Sequence, residues 1–288
     1  MVITSGNNIK SAYVRGQKVS AIYTYGEQVW PSNIKSYYVR WSPSHISSGT
    51  FMNRGRTYQF SRYGSEFWMS ESHIGIGAFE SSPITTLETN TLDIRSKAFK
   101  DCESLSIISL PNCEIIGSSA FVRKTTVITQ LRTSLYAPVC SYIGNAAFNK
   151  RYFTSYSLPN CEYIGDHAFE NTGWASSLDL PKCSYIGEYA FDGVDRLIEV
   201  HLSACEYIGD MAFANQNKYE YNSHFLSVYI YTSTVCSLGG SYAFRSLMGN
   251  TPNASYYDVA TIYVPASLLS DYKSAQYWSD FSSRLRSM

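Results

Sequence analysis

A nine-residue pattern, C-x-x-I-G-x-x-A-F, constrains the fold of this chain more than any other sequence feature. Five good copies begin at Cys113, Cys140, Cys161, Cys183 and Cys205, and a degenerate copy follows later. With two partial copies near the start, the eight Phe positions lie 20, 22, 27, 21, 22, 22 and 31 residues apart. A period of this size in one chain predicts a solenoid, in which each repeat packs against its sequence neighbours.

The residues before each Cys match a second template. Leu197, Val200 and Leu202 precede Cys205 with the spacing L-x-x-L-x-L-x-x-C, the pattern of a leucine-rich repeat. Within this class the repeats, of the form LPNC-x-x-IG-x-x-AF, resemble the BspA-like bacterial surface-antigen family over roughly residues 63–281. The resemblance implies a leucine-rich-repeat solenoid of about eight irregular repeats of about 22 residues, with one short parallel strand per repeat. It also implies display at a bacterial surface.

Each repeat is expected to contribute a strand, a turn at the Cys, and a return arm through Ile-Gly and Ala-Phe. The recurring Gly suits a sharp turn with positive φ. The small Ala allows neighbouring coils to approach, and the Phe fills the space between the sheet and the return arm. Longer spacings at 122–134 and 214–223 predict insertions that bulge out as loops, where function often lies.

The N-terminal part of the chain carries no clear repeat. Residues 1–32 are predicted to form a three-stranded β module. Its strands are expected at 9–14, 18–24 and 27–30. Residues 33–70 are rich in aromatic side chains and are predicted to cap the first coil, or alternatively to form a separate binding module. This division places both segments before the repeat region.

The solenoid itself is predicted to span 71–260, with a terminal segment at 261–288 behind it. That segment reads as a final strand followed by a helical cap over 266–286, with Ser267 as an early polar cap residue. It is similar to the terminal segment with which many members of the resembled family end. Its predicted role is to cover the last coil.

The charge and the hydrophobic content of the chain limit the classes of partner that it is expected to bind. The 23 basic residues balance 23 acidic residues, so charge favours neither nucleic acid nor an anionic membrane. No apolar run is long enough to span a membrane, and the first residues lack the basic and apolar regions of a signal peptide. The 25 tyrosines predict either stacked aromatic ladders in the solenoid or a recognition surface.

Six of the seven cysteines occupy one repeat position. Adjacent strands lie about 4.8 Å apart, and in-register side chains point the same way. A disulfide needs Cβ atoms about 3.8 Å apart. The sequence therefore predicts free thiols, buried as small apolar fillers in the turn after each strand.

Two pairs of a thiol and a base are candidate catalytic groups: Cys161 with His167, beside Asp166, and Cys205 with His201. A nucleophile is singular, however, whereas this Cys recurs, so packing explains the thiols better. The five His residues show no metal-ligand spacing, and no C-x-x-C is present. One carboxylate per repeat does not supply the six to eight or so converging oxygens of a Ca²⁺ site. We expect no enzymatic activity, cofactor or metal.

The outward positions of the predicted strands are the candidate ligand-binding residues. One column of the concave sheet is predicted to contain Ser109, Tyr136, Ser157, Asp179, His201 and Thr232, with Glu199 in the neighbouring column. Small and polar groups on a rigid, preformed surface suit a host-surface protein or a glycan. A solvated sheet face without a ligand is the alternative that the sequence leaves open.

Two functions follow. The first is a non-enzymatic, adhesin-like module at a bacterial cell surface or outside the cell, binding a protein or glycan through the concave sheet and the insertion loops. The alternative is a phage or prophage structural protein, of the tail or for host recognition, whose partners are other virion proteins. This alternative rests on the likeness of residues 1–32 to N-terminal modules of such proteins. Neither hypothesis involves nucleic acid or membrane insertion.

Overall fold

The computed structural model of this chain describes short N-terminal pieces and most of the repeat region. The described residues are 2–5, 8–14, 17–19, 45–46, 73–74, 76–77, 79–81, 85–89, 91–124, 132–173, 176–194, 197–214, 226–247, 256–258 and 260–288. Parallel strands recur there at the period of the sequence repeat. The chain therefore folds as a leucine-rich-repeat solenoid, as the sequence predicts.

Strands of two residues, four of them Tyr-Ile, form a parallel sheet that we call the short-strand sheet. Its nine described strands are His45–Ile46, His73–Ile74, Asp93–Ile94, Ile115–Ile116, Tyr142–Ile143, Tyr163–Ile164, Tyr185–Ile186, Tyr207–Ile208 and Ser237–Leu238. In the strands whose burial is defined throughout, the second residue is buried and the first is at least partly exposed. This sheet thus has one core face and one outward face.

Longer strands form two further parallel sheets, which we call the long-strand sheets. The first contains Thr86–Glu88, Ile107–Ser109, Thr133–Tyr136 and Phe153–Ser157. The second contains Ser177–Leu180, Glu199–Leu202, Leu226–Ile230, Ala260–Val264 and Leu285–Ser287. Along most of these strands, buried and outward residues alternate because successive side chains of a strand point to opposite faces.

The prediction of one strand per repeat is wrong, since the repeats contain two. The arm after each Cys stacks in register on the arm of the previous coil, so its backbone groups pair there as a ladder. The Gly187 N–H, for example, donates to the Ile164 carbonyl at 2.8 Å. Thr133 and Ser134, which the sequence placed at the end of an insertion loop, also belong to a strand. The middle of that loop and most of the loop at 214–223 lie outside the described residues.

A row of stacked phenylalanine rings fills the core, which confirms the predicted role of the Ala-Phe pair. The rings are Phe79, Phe99, Phe121, Phe148, Phe169, Phe191, Phe213 and Phe244. Neighbouring ring centroids lie 5.0 to 5.6 Å apart, and no ring is more than 3% exposed. The backbone of the arm forms its own ladder, as in the bond from Phe191 N–H to the Ala212 carbonyl at 2.8 Å.

The thiols are free and buried, as the sequence predicts. The structure adds a reason for Cys at this position. The Cys113 thiol donates to the Ile115 carbonyl at 3.2 Å, and the Cys183 thiol donates to the Tyr185 carbonyl at the same distance. Cys is small and apolar enough for the core, and its S–H is still a weak donor for a carbonyl of the turn.

The recurring Gly does not have the predicted positive φ. The left-handed residue lies two positions later, as at Ala146 with φ 55° and Tyr189 with φ 54°. Gly is needed instead because two backbones approach closely. A Cβ placed at Gly187 would lie 2.5 Å from the backbone nitrogen of Asp166 in the previous coil, closer than any side chain can approach without displacing that coil.

A buried arginine that the sequence analysis missed connects two earlier coils. The Arg151 guanidinium is completely buried and donates to the carbonyls of Phe121, Leu105 and Cys102 at 2.8, 3.0 and 3.2 Å. Burial lowers the pKa of Arg151 to about 10. The side chain follows the long spacing at 122–134. It satisfies the Phe121 carbonyl and adds a second donor to the Leu105 and Cys102 carbonyls, which also accept the Thr133 hydroxyl and the Leu105 N–H.

The C-terminal segment is not the continuous helix predicted over 266–286. It contains a 3-10 turn at Ala266–Leu268, an α-helix at Leu269–Ser274, a second 3-10 turn at Trp278–Phe281 and the strand Leu285–Ser287. Pro265, rather than Ser267, occupies the N-cap position of the first turn, and no side chain caps it. Extended backbone at Ala275 and a φ of 63° at Tyr277 interrupt the helix.

These interruptions place large side chains over the last coil. The Trp278 indole N–H donates to the Cys236 carbonyl at 2.5 Å, and the Tyr272 hydroxyl accepts the Cys236 N–H at 3.0 Å. The Phe281 ring packs edge-on against Phe244, with 5.6 Å between the centroids. The segment therefore covers the open end of the core, with the periodic apolar residues serving as plugs.

The N-terminal strands also differ from the prediction. Val2–Ser5, Asn8–Val14 and Gln17–Val19 form an antiparallel sheet. The first of these strands was not predicted, and the strand predicted at 27–30 lies outside the described residues. A separate antiparallel pair, Arg245–Leu247 with Tyr256–Asp258, follows the last repeat. In the part of the chain that the structure describes, no helix has the length and apolar character needed to span a membrane.

Candidate ligand-binding face

The second long-strand sheet presents an outward column of four residues in register. Asp179 pairs with His201, His201 with Tyr229, and Tyr229 with Tyr263. The prediction of Thr232 in this column is wrong, because Tyr229 takes that place. Thr232 is only 7% exposed, and its hydroxyl donates to the Thr234 carbonyl at 2.7 Å.

The error arose from counting back from the Cys. Ile230 pairs with Leu202, yet Cys236 lies six residues after Ile230 whereas Cys205 lies three after Leu202. Three extra residues in the turn therefore displaced the predicted register. The alternation of buried Leu226, Val228 and Ile230 was the sequence signal that could have corrected it.

The predicted single column is divided into two. In the first long-strand sheet, Tyr136 pairs with Ser109 on one side and with Ser157 on the other, and Tyr136 is 54% exposed. No strand pairing joins Ser157 to Asp179 among the described residues. Near this break Tyr156 turns its ring into the core against Phe169, with 5.5 Å between centroids.

Three rings of the second column stack on one another. The His201 and Tyr229 centroids lie 4.9 Å apart, and those of Tyr229 and Tyr263 lie 4.7 Å apart. Tyr231, two residues beyond Tyr229, adds a nearly parallel ring 5.9 Å from His201 and is 47% exposed. We call this set, with Asp179 and Glu199, the aromatic face.

A hydrogen-bonded relay runs across the aromatic face. The Glu199 Oε1 atom lies 3.1 Å from His201 Nε2, and His201 Nδ1 lies 2.9 Å from the Tyr231 hydroxyl. With neutral His201, Nε2–H donates to the carboxylate and Nδ1 accepts the hydroxyl proton. The Tyr231 and Glu199 oxygens then remain as acceptors, so the face is suited to a ligand that supplies hydrogen-bond donors.

The same order of carboxylate, imidazole and hydroxyl occurs in nucleophilic active sites, but the electrostatics oppose that role here. An activated nucleophile needs a lowered pKa or an adjacent base in a closed site. Desolvation, followed by the neighbouring Tyr229, Glu199 and Asp179, raises the pKa of Tyr231. The relay also lies on an open sheet, where the Glu199 and His201 side chains are 45% and 31% exposed.

The two predicted pairs of thiol and base are not brought together as catalytic pairs. Cys161 is buried and donates to the Tyr163 carbonyl, while His167 Nδ1 lies 3.0 Å from Glu170. Cys205 is buried with its Sγ atom 3.2 Å from that of Cys236, while His201 contacts Glu199 and Tyr231. Burial raises the pKa of Cys161, and the hydrogen bond with Cys236 followed by burial raises the pKa of Cys205, so both thiols stay protonated. Across the described residues, no three or more His, Cys, Asp or Glu side chains are grouped so that they could hold a metal ion.

Stacked parallel strands, a continuous Phe row and an outward face on in-register strands define a leucine-rich-repeat solenoid protein. The family described as the BspA-type leucine-rich repeat region matches residues 32–137 and 131–234, with six copies. The chain belongs to this family. Residues 1–31 lie outside the match, and the predicted likeness of residues 1–32 to phage modules gains no support from it.

Comparison with other proteins adds little beyond the family. The crystal structure of the pneumococcal vaccine antigen PcpA is similar to this chain, with 15% sequence identity and a TM-score of 0.39. The similarity covers 99% of this chain and 89% of that one. A similarity this low supports no functional argument. No curated protein matches the chain.

Proposed function

We propose that this chain is a non-enzymatic binding module of a bacterial surface protein, and that it binds a protein or glycan through the aromatic face. The observation that carries the proposal is the preformed stack of His201, Tyr229 and Tyr263 on paired strands. Aromatic side chains offer large contact areas with few rotatable bonds. Since the stack already restrains them, binding loses less side-chain entropy.

The polar groups of the face give the bound partner its orientation. The relay from Glu199 through His201 holds the Tyr231 hydroxyl in place. Asp179 is exposed at the edge of the stack, next to His201. A few fixed acceptors beside aromatic rings are the usual composition of a selective binding surface.

The assignment as a binding module rather than an enzyme rests on the open position of the relay, where the Glu199 and His201 side chains are 45% and 31% exposed, together with the direction of the pKa shifts. The Tyr231 hydroxyl and the buried thiols are both made less acidic by their surroundings. Neither is therefore prepared for nucleophilic attack. The repeats of this family are also of the type that serves as a rigid scaffold for interaction.

The BspA-type repeats support a location at a bacterial surface. The alternative, a virion protein displaying the same repeats, depends on residues 1–32, almost all of which lie outside the matched region. We therefore propose the bacterial surface, rather than the virion, as the location of this chain. Antibody labelling of intact producing cells tests it directly, and labelling of purified phage particles instead would replace it.

The binding role is tested with the purified chain and with the variant Glu199→Ala/Tyr231→Ala. A glycan array and a pull-down from host-surface extracts identify a ligand, whose affinity is then measured for both proteins. We expect the variant to bind at least about tenfold more weakly, the usual effect of removing a central aromatic anchor with its polar neighbour.

The variant Glu88→Ala/Tyr136→Ala is the matched control, because it removes the same two residue types from the first long-strand sheet, outside the aromatic face. We expect this control to retain wild-type affinity. Full affinity in a folded Glu199→Ala/Tyr231→Ala protein would move the site away from the aromatic face. The loops at 122–134 and 214–223 would then be examined next.

A further inference from the structure

The outward face of the short-strand sheet carries a ladder of four tyrosines. Tyr142, Tyr163, Tyr185 and Tyr207 are stacked with 4.7, 4.7 and 4.9 Å between successive ring centroids. Tyr142, at the N-terminal end of the ladder, is 39% exposed. Tyr163, Tyr185 and Tyr207 are partly exposed, and the Tyr207 hydroxyl lies against Gly239 of the next coil. The ladder is therefore a row of partly exposed ring edges on the outward face of the sheet.

Carboxylates flank the tyrosine ladder on both sides. On one side the flanking position of each repeat is the residue before the Tyr, and on the other side it is the residue after the repeat Gly. The acidic members are Glu114, Glu162, Glu206, Asp166, Glu188 and Asp210. The five segments 114–118, 141–145, 162–166, 184–188 and 206–210 together contain these six carboxylates and no Lys or Arg. We call the ladder and its flanking carboxylates the tyrosine–carboxylate face.

This concentration of negative charge does not follow from composition, because the chain as a whole is neutral. Four of the acids, Glu114, Glu162, Glu188 and Glu206, are exposed. They form no ion pair with a residue that the structure describes. The field of the acids reaches the ladder: burial, and then Asp166, raise the pKa of Tyr185 to about 12. The face is thus a negative surface without internal compensation.

We propose that the tyrosine–carboxylate face is a second interaction surface, and that its partner is an extended, lysine- or arginine-rich peptide segment of another protein. Charge complementarity selects the basic side chains. The tyrosine rings provide apolar surface for the methylene groups of Lys and Arg, whose charged ends can then reach the flanking carboxylates. The hydroxyls add donors and acceptors for the peptide backbone.

The dimensions of the face favour an extended segment over a small ion. From the strand at Ile115 to the strand at Tyr207 the face spans four inter-strand steps, or roughly 19 Å at about 4.8 Å per step. A segment of about six residues covers this length at about 3.4 Å per residue. The acids do not converge on one point, as a metal would require. Two of the acids also have other partners: Asp166 and Asp210 accept the backbone N–H groups of Glu188 and Tyr242 in the next coils, at 3.0 and 2.8 Å.

The test uses a fluorescent heptapeptide of alternating Lys and Ser, with a Glu and Ser peptide as the negative probe. Fluorescence anisotropy measures the affinity of each for the full chain. We expect saturable binding of the Lys peptide alone, weakened when salt rises from about 50 mM to about 200 mM. The variant Glu162→Gln/Glu188→Gln/Glu206→Gln is expected to bind about eightfold more weakly, with each lost pair contributing about twofold.

The matched control is Glu88→Gln/Asp271→Asn/Asp280→Asn, which removes the same number of charges from positions outside both the tyrosine–carboxylate face and the aromatic face. We expect it to bind the Lys peptide within about twofold of wild type. Absence of saturable binding to the wild-type chain, or an equal loss in both variants, overturns the proposal. In the second case only the total charge of the protein attracts the peptide. The control leaves every residue of the aromatic face in place, so the two surfaces are tested independently.

Discussion

The repeat glycine gives the sharpest test of how the coils are held together. In Gly144→Ala the added Cβ would lie 2.7 Å from the Ser118 nitrogen and 3.0 Å from the Gly117 carbonyl carbon. Both are backbone atoms of the previous coil. That coil cannot withdraw without stretching the bond from Gly144 N–H to the Ile116 carbonyl, now 2.8 Å. We expect the free energy of unfolding to fall by about 1 to 3 kcal/mol, the usual cost of overpacking.

Ala146 is the matched control in the same turn. Its φ is 55°, a left-handed conformation that costs a residue with a Cβ about 1 to 2 kcal/mol. Gly avoids this strain but loses about 0.5 to 1 kcal/mol more conformational entropy on folding. The variant Ala146→Gly should therefore be as stable as wild type or more stable by up to about 1 kcal/mol.

Both variants are measured by urea unfolding, followed by tryptophan fluorescence and circular dichroism. Equal m-values would show that the exposed surface on unfolding is unchanged, so that midpoints can be compared directly. A Gly144→Ala protein within about 0.5 kcal/mol of wild type would refute the close-approach explanation. An Ala146→Gly protein that loses more than about 1 kcal/mol would refute the left-handed assignment.

Three further predictions concern the core and the tyrosine ladder. Phe191→Ala should lower the free energy of unfolding by about 3 to 5 kcal/mol because it opens the buried Phe row; an unchanged melting temperature would contradict that burial. Thiol titration in denaturant without reductant should return seven thiols. In native protein the titration should be slow, since the thiols are buried and burial raises the pKa of Cys140, for example, to about 12. Fewer than seven thiols would indicate a disulfide, and Cys205 and Cys236 would be the first candidates because their Sγ atoms lie 3.2 Å apart. The raised pKa of Tyr185 predicts a contribution to stability that is complete below pH 10 and lost as pH rises to about 12, because the unfolded phenol ionises first. Over this pH range the free energy of unfolding of Tyr185→Phe should therefore fall less steeply than that of wild type. Identical slopes of the free energy against pH would contradict the shift.

The candidate site shows where sequence reasoning succeeded and where it stopped. Asp179 and His201 were placed together in one column because they belong to repeats of equal length. Tyr229 was missed because the next repeat has a longer turn before Cys236, and counting from the Cys shifted the register. Tyr231 acquired its role from a hydrogen bond to His201 across coils, a contact between residues 30 positions apart that no local pattern shows.

The sequence by itself determined the period, the family and the buried positions. Ile, Cys, Ala and Phe recur at fixed offsets, and a solenoid stacks equal offsets into continuous rows, so burial of one copy implies burial of the others. Only the tertiary structure decided why the Gly is needed, where Arg151 donates, and how the C-terminal segment folds over Cys236. These features depend on distances between neighbouring coils and on insertions of irregular length. Such distances are set by the packing of the whole array, which a pattern within one repeat does not contain.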